Sequence, residues 1–338
     1  MALLFMDGFD HYATADGTEK WYMFSAVATA SGGRTNGYAA TAQGLGVNLA
    51  LGTGPTVIVG AAFKTGSYFE ITVVDGIADS IRNGGQCSIY FAVDGSINLY
   101  RRQSASGTFI VGTATNIWKA NVWNYVEVKL FLDQSVGTAE VRLNGAVVAA
   151  WTGRDTCFQA TTNATAVVIT GPSTNNVDDV YICDGTGAVN NDFLGECRIV
   201  TLLPQTDAVA AGSNADFTCS SSTDHGALVD EAAPDDDTSY LSSSTLNHVD
   251  SWEYPALGYT GTIKGVQMSL SAKKTDSGTR AIAAVTRPVS TNRVHTTNHY
   301  LGTSYIYWTS IWETNPEDSG AWEVADIDAA EFGVKVTV

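Results

Sequence analysis

Positive charge is scarce in this chain: 18 Lys and Arg stand against 35 Asp and Glu in 338 residues, a formal charge of −17. Neutralising a phosphate backbone takes clustered basic side chains. The adjacent basic pairs are Arg101-Arg102 and Lys273-Lys274, which read as solvated strand ends. Nucleic acid is therefore not an expected partner. The same sign opposes docking on anionic membranes, and no apolar run approaches the ~18 residues of a membrane span, so no membrane insertion is expected. Cysteine is also sparse. Cys87, Cys157, Cys183, Cys197 and Cys219 are odd in number and lack CxxC spacing, which argues against a disulfide framework or a zinc site. Buried free thiols in a protein folded in a reducing cytoplasm are the expectation. The N-terminus MALLFMDGFDHY lacks the basic region, long apolar core and small-residue cleavage site of a secretory leader. Charged residues of both signs make up only 16 % of the chain, and with 33 Gly this composition suits short strands joined by tight turns, with few helices.

What is present is period-two patterning. In residues 123 to 151, Val126, Val128, Leu130 and Leu132 alternate with polar neighbours, as a half-buried strand requires. A Gly-containing loop over Asp133–Thr138 follows, then a strand over Ala139–Leu143. Asn144-Gly145 supplies the positive φ values of a two-residue hairpin, and the chain returns through Val147 and Val148. A second hairpin flanks Asp94-Gly95, with Ser88–Val93 and Ser96–Tyr100 as its arms. Further strands are expected over Leu3–Phe9, Trp21–Val27, Gly37–Leu51, Thr56–Phe63, Tyr68–Val74, Phe109–Thr113, Ala166–Thr170 and Val177–Cys183. Pairing of the first strand with the last would close the sandwich.

After Asp184-Gly185 the pattern lapses, and a boundary is placed near Gly195–Pro204, giving domains of residues 1–198 and 199–338. In the second, Gly265–Ser271 alternates, Thr275–Gly278 turns and Arg280–Thr286 returns. Tyr305–Trp312 is an aromatic strand, Phe332–Val338 a final one, and Ile327–Glu331 a short helix before it. No internal repeat of 20 to 50 residues appears, so propellers and solenoids are not indicated. The fold class is all-β, with two β-sandwich domains.

Particular motifs carry a resemblance. The order MDGFDHY, GTAEVRLNGAVV, VDDVYICD resembles the concanavalin A-like, laminin-G-like jelly rolls, in which a closing Asp-Asp strand lies beside the first. FLGECRIVTLLPQTD, VDEAAPDDDTSYL, GVQMSLSAKKTDSGTR and ADIDAAEFGVKV are similar to a two-domain virion protein of tailed bacteriophages. The resemblance implies a non-enzymatic structural component of the virion, assembled in the host cytoplasm. It would decorate the head or belong to the tail and its fibres. Its partners would be other virion proteins and further copies of itself as a homo-oligomer. The alternative is a carbohydrate-binding adhesin that recognises host surface glycans.

The candidate chemistry is thin. Glycosidases place two carboxylates in one cleft, yet the E-x-D-x-x-E pattern is missing, and Glu127 and Glu140 read as solvent-facing strand positions. No catalytic, cofactor-binding or metal-binding residue is assigned. Asp178-Asp179 and Asp235-Asp236-Asp237 offer the oxygen ligands that calcium takes. The blander reading is favoured, a strand-start turn for the first and a solvated acidic loop for the second. In an unbent strand, Asp178 and Asp179 would point to opposite faces. His295 and His299 share a face, but no third ligand is visible, so they read as surface histidines. Trp118, Trp123 and Trp151 at strand ends, and Tyr305, Tyr307, Trp308 and Trp312 on one strand, are weighed as core first, subunit interface second and glycan platform third.

Overall fold

The computed structural model describes residues 2–338 except 12, 14–15, 26–27, 36, 42, 76–84, 105–106, 116, 159–161, 206–213 and 289. The chain divides into two compact units, Met1–Asp10 with Trp21–Ile199, and His11–Lys20 with Val200–Val338.

Strands of the first unit, in chain order, are β1 (Leu3–Asp7), β2 (Met23–Ser25), β3 (Ala28–Ser31), β4 (Tyr38–Thr41), β5 (Gly44–Thr53), β6 (Thr56–Lys64), β7 (Phe69–Val74), β8 (Gly85–Phe91), β9 (Ile97–Ser104), β10 (Gly107–Ala114), β11 (Asn124–Phe131), β12 (Gly137–Leu143), β13 (Ala146–Arg154), β14 (Ala164–Thr170) and β15 (Asn176–Asp184). An eight-stranded antiparallel sheet runs β13-β12-β11-β6-β15-β4-β3, with β1 also paired to β15. A seven-stranded sheet runs β10-β9-β8-β7-β14-β5-β2. This is an antiparallel β-sandwich of the jelly-roll kind, and its first and last strands do pair, Met6 opposite Tyr181.

The two inner faces meet in an aromatic and aliphatic core. Phe63 of β6 stacks on Phe69 of β7 with centroids 4.3 Å apart, and the Phe91 ring of β8 lies 5.4 Å away. Val126, Val128 and Leu130 alternate inward along β11 and are fully buried. Each such side chain contributes ~1.5–3 kcal/mol through burial. The turn at Asn144-Gly145 has the positive φ values expected, 48° and 80°. At the other hairpin only Gly95 is left-handed, at 84°, and the Ala92 amide donates to the Ser96 carbonyl at 2.8 Å. That connection is a three-residue loop with its left-handed residue in glycine.

The second unit contains α1 (Gly17–Lys20), β16 (Thr218–Cys219), β17 (Leu241–Ser242), β18 (Val249–Trp252), β19 (Val266–Ala272), β20 (Ala281–Arg287), β21 (Arg293–Val294), β22 (His299–Tyr300), β23 (Ile306–Trp312), α2 (Val324–Ala329) and β24 (Glu331–Val336). A five-stranded sheet runs β18-β24-β20-β21, with β22 also on β20, and β19 pairs with β23 in a separate ribbon. Trp252, Met268, Ile282, Trp312, Trp322 and Phe332 form the core between these layers.

Two expectations for this unit are corrected. Gly265–Ser271 and Arg280–Thr286 are not arms of one hairpin, because β19 pairs with β23, Val266 opposite Trp312, while β20 pairs with β24. The reason lies in composition: AIAAVTR is buried on both faces, as a central strand must be, whereas β19 is only half buried. The short helix occupies Val324–Ala329 and not Ile327–Glu331. The Glu323 amide donates to Asp326 Oδ2 at 2.8 Å and fixes its start, and β24 claims the residues from Glu331 onward.

Candidate functional site

Because Phe69, Ile71, Ile89, Phe91 and Leu99 point into the sandwich, the alternate residues of β7, β8 and β9 lie on the outer face of the seven-stranded sheet. Pairing arranges them in two cross-strand rows. One reads Ile110, Tyr100, Ser88, Thr72, Val168; the next reads Thr113, Asn98, Tyr90, Glu70, Thr170. Tyr68, just before β7, stacks on Tyr90 with centroids 5.5 Å apart and planes 18° from parallel, and Tyr100 lies 5.6 Å beyond at 59°. The three rings form a half-buried ladder beside Ile110, which is 60 % exposed. The Thr113 hydroxyl donates to Asn98 Oδ1 at 2.8 Å, and the Asn98 amide group donates to Ser96 Oγ at 3.4 Å.

Charge and burial tune these groups. Burial, then the neighbouring Tyr100 and Glu70, raises the phenol pKa of Tyr90, and burial followed by Glu70 raises that of Tyr100. Both phenols stay protonated at neutral pH and remain donors. Towards the middle of the sheet the face closes over: Thr72 and Ser88 are fully buried, and their hydroxyls have no hydrogen-bond partner among the described residues. Leaving such a group unsatisfied costs ~1–3 kcal/mol. Val74, Ala166 and Val168, with Tyr22 packed against them, form a small apolar cluster alongside.

Of the two strand carboxylates that the sequence assigns to solvent, Glu127 is buried and Glu140 partly exposed. Glu127, on the outer face of the eight-stranded sheet, is 1 % exposed; its Oε1 accepts from the Tyr181 hydroxyl at 2.5 Å and from the Gly195 amide at 2.8 Å. Tyr181 in turn lies flat on Gly60, where a Cβ would come within 2.0 Å of the ring. Glu140 pairs with Arg142 at 2.8 Å. Asp178 and Asp179, read as a strand-start turn, lie near the start of β15 and are buried, and both hold Arg34. Asp178 Oδ2 accepts from the Arg34 amide at 2.8 Å and Asp179 Oδ2 from its guanidinium at 3.1 Å. The bend that alternation alone would forbid exists here, since Asp179 has φ 51° and the pairing of β15 with β6 shifts register between Asp178 and Tyr181. Burial, then the adjacent Asp179 charge, pushes the Asp178 carboxyl up to about 7.

These groups clamp one segment. From Asp192 to Ile199 the chain crosses the outer face of the eight-stranded sheet. Lys129 binds Asp192 at 3.0 Å, the Arg142 guanidinium covers the Phe193 ring at 3.9 Å, and Arg34 holds Glu196 and the Cys197 carbonyl. The Ile199 amide closes the run on Asp179 Oδ1 at 2.8 Å.

In the second unit, Asp235 accepts from the Ser239 amide and hydroxyl, and Asp237 binds Lys273 at 2.6 Å and the Tyr305 hydroxyl at 3.1 Å. His295 and His299 are not surface residues free in solvent. His295 Nε2 lies 3.1 Å from the Ile311 carbonyl, and the buried His299 lies 2.9 Å from Ser310 Oγ, their rings against Trp312 and Trp308. Burial lowers both imidazole pKa values. Among the described residues no group of three or more His, Cys, Asp or Glu is placed to hold a metal ion. Tyr307 donates to the His11 carbonyl at 2.9 Å, and Trp312 is core.

Of the three tryptophans weighed in the first unit, Trp123 is half-buried and the other two are core. Trp118 and Trp151 are buried, and Trp151 covers Gly112, whose absent Cβ would meet its ring at 2.2 Å. Cys87, Cys157 and Cys183 are buried, whereas Cys197 and Cys219 are partly exposed. The tyrosine ladder is what the sequence reading missed. Its signal was present: Tyr90 sits between Ile89 and Phe91, and Tyr100 after Leu99, aromatic residues at outward positions of adjacent strands.

No protein-family model matches the sequence, and no curated protein matches it significantly. Solved structures are similar to part of it. The galectin LEC-6 of Caenorhabditis elegans is 14 % identical with a TM-score of 0.29, over 40 % of this chain and 88 % of that one. The carbohydrate-binding module CBM66 of Bacillus subtilis is 7 % identical with a TM-score of 0.34, over 47 % and 92 %. The alginate lyase Aly36B is 9 % identical with a TM-score of 0.33, over 53 % and 96 %.

Proposed function

We propose that the first unit is a non-catalytic carbohydrate-binding module that presents the outer face of its seven-stranded sheet to a glycan. The observation that carries this reading is the ladder of Tyr68, Tyr90 and Tyr100 flanked by Asn98, Thr113 and Glu70. A pyranose has an apolar C–H face and an equatorial rim of hydroxyls. Partly exposed aromatic rings bury the first, and amide, hydroxyl and carboxylate groups at fixed spacing bind the second. The absence of turnover is part of the proposal. Glu127 is committed to Tyr181 and Gly195, Glu140 to Arg142, and Asp178 with Asp179 to Arg34.

A glycan array probed with the whole chain tests the reading. Binding to a defined set of glycans, lost in Tyr90→Ala and Tyr100→Ala, is the expected result. Uniform silence, or binding indifferent to both substitutions, overturns it.

The phage-like motifs support a location for this module. In our reading it is displayed on a virion, on the head or tail, where repeated copies would multiply weak glycan contacts into useful avidity. Mass spectrometry of purified particles should find the chain; its absence from them would remove the virion assignment and leave the glycan site standing.

A further inference from the structure

We infer that the Thr72 and Ser88 hydroxyls form a polar subsite for the exocyclic hydroxymethyl group of a hexose seated on Tyr90 and Tyr100. The inference rests on the glycan-binding reading and adds the class of sugar. Ser88 is the cross-strand partner of both Tyr100 and Thr72, so the two hydroxyls and the Tyr100 ring occupy consecutive positions of one row on one face. Directly opposed side chains on a sheet have Cβ atoms roughly 5 Å apart, within reach of one small ligand group. Both hydroxyls are fully buried and without a partner among the described residues. Folded proteins satisfy nearly all buried hydroxyls, and two unsatisfied ones side by side leave bonds for an ordered water or a ligand group to supply.

The geometry also limits what can enter. Both hydroxyls are fully buried, so a whole pyranose does not reach them; a group of one carbon and one oxygen projecting from a ring on the ladder would, once the partly exposed Tyr100 side chain, next to Ser88 in the row, changes rotamer. A single hydroxyl can donate to one of the two oxygens and accept from the other. Hexopyranoses carry such a hydroxymethyl group, and pentopyranoses carry hydrogen in its place. A site built to hydrogen-bond a substituent discriminates against the analogue that lacks it.

The test compares a hexose polymer panel with xylan, using the whole chain, the Thr72→Val and Ser88→Ala variants singly and together, and Tyr90→Ala. The parent protein is expected to prefer the hexose polymers at least tenfold. In the double variant that preference should collapse through loss of hexose affinity, xylan binding should be unchanged, and the melting temperature should hold or rise, because unsatisfied polar atoms have been removed. Unchanged hexose preference in the double variant, with Tyr90→Ala still abolishing binding, overturns the subsite and leaves the glycan reading intact. Binding unaffected by Tyr90→Ala removes both. Should the double variant fold poorly, Ser88→Ala alone decides, since the hexose-to-xylan ratio is internal to each sample.

Discussion

The two outer faces of the first unit begin alike and end differently. Both are built from the polar half of alternating strands, yet on the eight-stranded sheet the chain returns after β15 and lays residues 192–199 across Lys129, Glu127, Arg142 and Asp179. There Glu127 and Asp179 become internal charges, and Lys129 and Arg142 gain partners at a partly exposed edge. On the seven-stranded sheet Tyr90 and Tyr100 remain half exposed, and Thr72 and Ser88 keep unsatisfied hydroxyls. The first face stabilises the fold; the second is left with unused hydrogen-bonding capacity, and on that difference rests the proposal that it is the recognition surface.

The sharpest way to break the comparison is Glu127→Ala. It strands the Tyr181 phenol and the Gly195 amide inside the clamp, so a loss of about 3 kcal/mol in unfolding free energy is expected by urea titration, with the glycan affinity of the surviving folded protein unchanged. A loss of binding as large as the loss of stability would mean that the two faces are not independent. Tyr90→Ala is the mirror experiment. Removing a partly exposed ring should cost under about 1 kcal/mol of stability, but about 1.5–3 kcal/mol of glycan binding if the ring is buried by the sugar. Calorimetric titration beside thermal melts measures both.

The strands themselves were legible because burial imposes period two, and β7, β11 and β15 lie within two residues of their expected ends. The Asn144-Gly145 turn was legible because its backbone needs φ values that few residue pairs tolerate. Partner choice was not. Alternation says that Glu127 is off the core side of β11, but only the later return of Gly195 decides whether it meets water or an amide, and that return is encoded 68 residues away. Asp178-Asp179 failed for a related reason: the bulge that turns both carboxylates towards Arg34 depends on a left-handed Asp179, which no neighbouring letter demands. The β19–β23 pairing was hidden because a turn signal at Thr275–Gly278 is equally suited to a chain changing sheets. The association of His11–Lys20 with the second unit left no pattern at all.

Acid titration sharpens the contrast through a smaller effect. Burial and the adjacent Asp179 charge push the Asp178 carboxyl from its ordinary 3.8 up to about 7, and burial also raises Asp10 and Asp179. A raised carboxyl binds its proton more tightly when folded, so its contribution to stability is complete below about pH 4 and is lost as the pH climbs through about 7. Denaturation midpoints at fixed ionic strength should therefore fall between pH 5 and 8, and Asp178→Asn should flatten that slope. A slope that the substitution leaves unchanged would assign the pH dependence to other groups.

The weakest link of the clamp gives the smallest effect. Lys129 and Asp192 pair at 3.0 Å but are 34 % and 63 % exposed, so water and salt screen them while two side chains lose freedom. Lys129→Ala should cost less than about 0.5 kcal/mol, and that cost should vanish in 0.5 M salt, whereas the Glu127→Ala penalty should persist because its partners are buried. If the two substitutions responded to salt alike, residues 192–199 would be held by the general attraction of an acidic strap for a basic edge. The specific, buried bonds of Glu127 and Asp179 would then no longer explain why one face of this sheet pair is closed.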